Sequence, residues 1–203
     1  MMIRNRYLAA VNGSRKTIEL LETTGTHLGG TSTRAYGQFH NQNGAQIFKW
    51  DVSSVIGRVT EAQLLFYRTN TSSVVATYTS SFYSISQANS DFVVGNGNPA
   101  PSGICCNAAK KADGSGGITE AWAGSAGLQT AGVDYINTLL GVLTFYRTGT
   151  AGDVYVMNFN EAGVDLINGW ILNSAVNYGL MTPSATFSAV LMRDRTTLRL
   201  TYK

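Results

Sequence analysis

Apolar side chains recur at every second position through much of this chain, and that period limits the possible folds more than any other feature. In Gln46-Ile47-Phe48-Lys49-Trp50-Asp51-Val52, Phe48, Trp50 and Val52 fall on one side and Ile47, Lys49 and Asp51 on the other. Successive side chains of a β-strand point to opposite faces, whereas a helix returns to one face about every 3.6 residues, so the segment reads as a half-buried strand. After a turn at Ile56-Gly57-Arg58, residues 59–69 set Ala62, Leu64 and Phe66 on one face and Leu65 and Tyr67 on the other. Residues 74–85 continue in β-branched and aromatic side chains, and the two stretches are expected to be neighbouring antiparallel strands. Further strand-like segments lie at 17–21, 142–146, 154–159, 178–181, 185–191 and 197–202.

The joints between these segments are rich in Gly, Ser, Thr and Asn, and only 13% of the residues are charged. That balance favours short strands and tight turns over charged amphipathic helices. One helix is nevertheless written into the chain, because Ala162, Leu166, Ile167, Trp170 and Ile171 recur at three- and four-residue spacing. It is expected near 161–172, with Asn160 as N-cap, Glu161 and Asp165 near its positive end and Gly169 weakening its second half. Such a helix would plug one end of a sandwich. Periodicity disappears between 95 and 132, a long loop of the kind that carries function or covers a sheet edge. The domain reading is an N-terminal arm over 1–15 and a single domain over 16–203. At this length folding removes roughly 70% of the unfolded surface from water, so a core stands without metals or disulfides. Phe66-Tyr67-Arg68-Thr69 is echoed by Phe145-Tyr146-Arg147-Thr148, a repeat too short to establish duplication.

Several of these segments share motifs with a known module. Phe48-Lys49-Trp50-Asp51-Val52-Ser53-Ser54 resembles the aromatic-Asp-Leu-Ser strand end of the DNRLRE-type jelly-roll family, a carbohydrate-binding-like module, and Val59-Thr60-Glu61-Ala62-Gln63-Leu64 resembles its Ile-Thr-x-Ala-x-Leu strand start. Trp122-Ala123-Gly124-Ser125-Ala126-Gly127 is similar to its Trp-containing loop, and Leu198-Arg199-Leu200-Thr201-Tyr202 to its ending, although Thr197 stands where the family usually has Pro. The resemblance spans about residues 17–202. It implies an all-β, antiparallel jelly-roll sandwich with one short helix and, in the family's usual setting, glycan binding.

Chemistry is sparsely provided for. The histidines are His27 and His40, neither in a recognisable motif, and Asp113-Gly114-Ser115-Gly116-Gly117 has the wrong order for a serine-protease nucleophile loop. Asp51, Glu61, Asp91, Glu120 and Asp134 are scattered carboxylates with no pairing signal for glycoside hydrolysis. No phosphate-cradling Gly-rich loop and no zinc-type spacing occurs, and Cys105 and Cys106 are adjacent, a spacing that bridges only with strain. Asp134 or Asp153 could offer oxygen to calcium, but no spacing specifies a site. No catalytic, cofactor-binding or metal-ligating residue is therefore expected, and no cofactor. Trp50 and Trp170, in register with apolar neighbours, read as core. Trp122 in its Gly-rich loop, with Tyr135, is the best candidate pair for stacking on a sugar.

Partners follow from charge and from the arm. A net charge of +3 without a long basic run does not provide the field that nucleic acid needs. No stretch approaches the ~20 apolar residues of a membrane span, and residues 1–14 do not read as a secretory signal. The arm carries Ile3, Arg4, Arg6, Tyr7, Leu8 and Val11, suited to lying on a neighbouring subunit. The expectation is a non-catalytic virion structural protein made in the host cytoplasm, most concretely a phage capsid decoration or cement protein that binds capsid subunits and forms homo-oligomers. The alternative is a carbohydrate-binding module, as on a phage tail appendage, with loop 95–132 as its contact surface.

Overall fold

The structure, a computed structural model, describes residues 15–21, 24–29, 32–35, 38–39, 45–69, 71–92, 102–104, 109–113, 118–124, 128–183, 190–191 and 196–203. In chain order the strands are β1 (Lys16–Leu21), β2 (Thr24–Gly29), β3 (Ser32–Ala35), β4 (Gln38–Phe39), β5 (Gln46–Lys49), β6 (Val59–Tyr67) and β7 (Thr77–Ile85). β8 (Ser102–Ile104), β9 (Ala109–Asp113), β10 (Ile118–Ala121), β11 (Tyr135–Tyr146) and β12 (Val154–Asn158) follow, then helix α1 (Glu161–Leu172), β13 (Leu180–Thr182), β14 (Val190–Leu191) and β15 (Thr197–Tyr202). The fold is an all-β antiparallel sandwich of a four-stranded sheet, β1-β15-β6-β12, and a six-stranded sheet, β11-β7-β13-β5-β2-β3. Its pairing is nested: β1 pairs with β15, β5 with β13, β6 with β12 and β7 with β11, and successive nested pairs fall in alternate sheets.

The alternating residues meet between the sheets. Ala62, Leu64 and Phe66 of β6 face inward as their period requires, and the Phe66 ring lies 5.9 Å from both Phe48 and Phe82 across the interface. Residues 59–69 and 74–85 are thus not neighbours in one sheet, as expected from sequence, because β6 and β7 belong to opposite sheets. Both strands have an apolar face, and periodicity alone does not distinguish strands lying side by side from strands stacked face to face. Trp50, one residue past β5, and Trp170 of α1 are each 1% exposed in the same core, as expected.

The helix occupies the predicted span, and Asn160 caps it by accepting from the Gly163 N–H at 3.0 Å. Ile167 and Trp170 enter the core from α1. Beside them the Asn168 amide accepts from Val59 N–H (2.9 Å) and donates to Val59 carbonyl (3.0 Å), joining the helix to the first residue of β6. Gly163 lets the start of α1 lie close to the residues before it: a Cβ there would lie 2.4 Å from the Phe159 ring and 3.0 Å from the Leu140 carbonyl.

The long loop of the sequence reading has structure of its own. Within 95–132 lie β8, β9 and β10, paired antiparallel as a separate small sheet. Beyond it, Trp122, Leu128 and Tyr135 pack with Ala45, Ile47, Ile85 and Met181 in a second apolar cluster. Ile47 and Met181 alternate with Phe48 and Leu180 of the main core, so the cluster lies on the outer face of the six-stranded sheet. Through Trp122 and Leu128 the described part of the excursion covers a sheet face. This outer layer also explains why β5 is buried on both sides where alternation promised a half-buried strand.

Candidate functional site

The edge strands β11 and β12 provide the most unusual surface. Together they contain 17 residues, 12 and 5, without a charged side chain or proline, and Ile136, Leu139, Val142, Tyr146, Val154 and Val156 are all exposed. Hydrogen bonds from Arg68 N–H to Asp153 carbonyl (2.9 Å) and from Phe159 N–H to Ala62 carbonyl (3.0 Å) bracket the β6–β12 ladder. By the alternation of an antiparallel pair, Val154 and Val156 therefore turn their main-chain groups away from β6 as well as exposing their side chains. At the opposite edge of the same sheet, β1 carries Lys16 and Glu19, and Glu19 pairs with Arg199 at 2.7 Å. Monomeric proteins usually guard sheet edges with such charges.

Where β11 ends, a buried cation joins the two sheets. Arg68, 1% exposed, donates through Nη1 to Tyr146 carbonyl (3.0 Å) and the Tyr155 hydroxyl (3.1 Å), and through Nη2 to Arg147 carbonyl. The Tyr155 hydroxyl donates in turn to Tyr146 carbonyl at 2.8 Å. The echoed Phe-Tyr-Arg-Thr segments consequently meet in space, with the arginine of the first holding carbonyls of the second. Gly149 permits the arrangement, since a Cβ there would lie 2.6 Å from both Arg68 Nη1 and Asp153 Oδ2.

The proposed sugar-stacking pair is placed differently from expectation. Trp122 is 5% and Tyr135 8% exposed, so neither offers a ring face to a saccharide. Trp122 packs near Phe92 (6.4 Å between centroids) and Tyr135 against Tyr83 (4.8 Å). The two rings are brought into one cluster, but as the adhesive of the outer layer. Desolvation, followed by the proximity of Tyr83 and Asp134, raises the Tyr135 hydroxyl above its ordinary range.

Asp134 is likewise a fastening rather than a loop ligand open to calcium. It is fully buried, and its carboxylate accepts from Gly124 N–H (2.8 Å), Thr130 N–H (2.9 Å) and Asn89 Nδ2 (3.0 Å). Asp153, exposed at the β12 start, accepts from Thr150 N–H at 2.7 Å. Among the other carboxylates, Asp51 accepts from Ser53 N–H, which together with the Ser53 side chain holds it below the usual range, and Glu61 pairs with Arg15 at 3.0 Å. Among the described residues no group of three or more His, Cys, Asp or Glu is placed to hold a metal ion. The arm residues Ile3, Arg4, Arg6, Tyr7, Leu8 and Val11 lie outside the described residues, as do His40, Cys105 and Cys106. His27 is on β2.

Sequence reasoning passed over the β11–β12 flank, although the signal was present: two adjacent strand segments without a charge in either. Arg68 was visible only as part of an echo, and nothing local marks Asp134 as buried. No family model matches the chain, and no curated protein does either. The likeness to the DNRLRE-type module accordingly stands on its motifs alone.

Proposed function

We propose that this protein acts by packing against other subunits, with the uncharged β11–β12 flank and the N-terminal arm as its contact surfaces. In its most concrete form it is a non-catalytic virion structural protein, a phage capsid decoration or cement protein bound to neighbouring capsid subunits and to copies of itself. The observation that carries this reading is the flank: 17 strand residues without a charge, in a chain of which 27 of 203 residues are charged (15 basic and 12 acidic). A sheet edge whose outward main-chain groups pair with no strand among the described residues, and which exposes valines, invites another chain. The nested strand pairing in two antiparallel sheets supports the same reading, because a jelly roll, an architecture recurrent in viral capsids, is built from such pairs. Fold alone does not dictate function, so the flank carries the weight.

The test uses particles from the native source and a Val156→Lys variant expressed there. Wild-type chain should appear by mass spectrometry in fixed ratio to a capsid protein, and the variant should be lost from particles while its unfolding free energy stays within about 0.5 kcal/mol. A wild-type chain absent from particles overturns the virion role. A variant incorporated as well as the wild type overturns the role of the flank.

A further inference from the structure

At the β11–β12 flank both sheets end side by side, and the main-chain groups left over there form a symmetric set. Arg147 N–H bonds to Ala76 carbonyl (2.8 Å), which fixes the alternation of the β11–β7 ladder and turns the main-chain groups of Val142 and Thr144 outward. On β12 the outward pair is Val154 and Val156. Among the described residues no strand pairs with either set. Each set is bounded by residues already engaged. On β11, Leu140 carbonyl accepts from Asn160 N–H (2.9 Å), and Tyr146 carbonyl accepts from Arg68 and Tyr155. On β12, Gly152 N–H donates to Arg68 carbonyl (2.9 Å), and Asn158 carbonyl is so close to β11 that a Cβ on Gly141 would lie 2.8 Å from it. Counted antiparallel from that junction, residues 142–144 lie beside 154–156.

We propose that two copies of this chain join edge to edge here about one two-fold axis, passing Leu143 on β11 and Tyr155 on β12, so that both sheets run on from one copy into the other. A strand paired antiparallel with its own copy sets the residue before the axis against the residue after it. Val154 then meets Val156 of the second copy, and Val142 meets Thr144, each pair exchanging both main-chain bonds. All four side chains are β-branched, the type that packs best across strands. The charge pattern fits a copy in particular. In a two-fold pair a charge beside the axis faces its like, which is destabilising, and neither strand carries a charge. Asp153, just outside β12, falls opposite Met157 of the second copy, so the two Asp153 carboxylates stand about 13 Å apart along the strand and repel little. The inference rests on the packing role proposed for the flank and names its partner.

Sedimentation and hydrogen exchange of the purified full chain test it. Between about 10 μM and about 1 mM the chain should pass from monomer to dimer, and the amides of Val142, Thr144, Val154 and Val156 should become at least about tenfold better protected. The amides of Tyr155 and Met157, which face β6, should change less. Val154→Lys and Val156→Lys together set like charges opposite each other, and this double variant should associate at least about tenfold more weakly. The matching Val154→Glu, Val156→Glu variant should behave in the same way, and mixing the two should restore a heterodimer. A wild type that stays monomeric, a Lys variant that associates as tightly as the wild type, or a mixture that fails to associate overturns the inference. Should a variant not fold, the four wild-type amides decide, and protection that does not rise with concentration refutes the pairing. A monomeric wild type combined with loss of Val156→Lys from particles leaves the flank its packing role with a different chain as partner, so the two readings fail separately.

Discussion

Among the described residues two charged side chains are buried, and they bind different parts of the molecule with opposite chemistry. Arg68 is a donor surrounded by acceptors: two carbonyls at the end of β11 and a tyrosine hydroxyl of β12, so that its guanidinium spans the two sheets. Asp134 is an acceptor surrounded by donors: two main-chain N–H groups and an asparagine amide, all belonging to the outer layer or the turn beneath it. A buried charge is costly unless hydrogen-bonded, and each of these is held by several bonds. The difference lies in what each holds. Arg68 is bonded to Tyr155 of the principal core, whereas Asp134 adjoins Tyr135 of a cluster of seven described residues on the far side of one sheet. Similar local energetics should therefore have unequal reach: loss of the cation should unfold the sandwich, and loss of the anion's partners should loosen only the layer.

The largest effect expected from breaking this contrast is that of Arg68→Ala. It removes three hydrogen bonds made by a buried charged group, at roughly 1.5–3 kcal/mol for each such bond, so about 3 kcal/mol or more should be lost from global stability. Urea denaturation followed by circular dichroism measures it, and a loss below about 1 kcal/mol would mean that the guanidinium does not join the sheets. Next in size, Asn89→Ala strips a donor from Asp134 and an acceptor from Ala123 N–H, a cost of about 1–3 kcal/mol. That cost should appear as faster exchange at Ala123 and Gly124 with the global urea midpoint nearly unmoved; a shifted midpoint would erase the distinction between the two regions. Smallest, Tyr155→Phe removes one hydroxyl from the Arg68 network and should lower global stability by about 1 kcal/mol. A double-mutant cycle with Arg68→Ala should then show coupling, and additivity would place the two groups in separate networks.

How far these features could be read beforehand differs from one to the next. The α1 span and its Asn160 cap were legible, because capping and a three-to-four-residue period are local signals. The inward set Ala62, Leu64 and Phe66 was legible from alternation. Trp122 was misread because a tryptophan in a Gly-rich stretch carries no local mark of what will lie beneath it. Its burial depends on Ile47 and Met181, which come from distant strands. The strands β8 to β10 escaped because short strands low in apolar residues have little period to detect.

By itself the sequence determined that this chain would be a β protein with one capped helix, since main-chain geometry converts a two-residue or a 3.6-residue period into strand or helix wherever it occurs. Only the tertiary structure decided which strands lie beside each other and which face each other, that a third layer covers one sheet, and that Arg68 and Asp134 are buried. Those outcomes rest on contacts between residues far apart in the chain: 79 positions separate Arg68 from Arg147, and 45 separate Asn89 from Asp134. A period records which side chains share a face, but what comes to cover that face is a property of the whole packed chain.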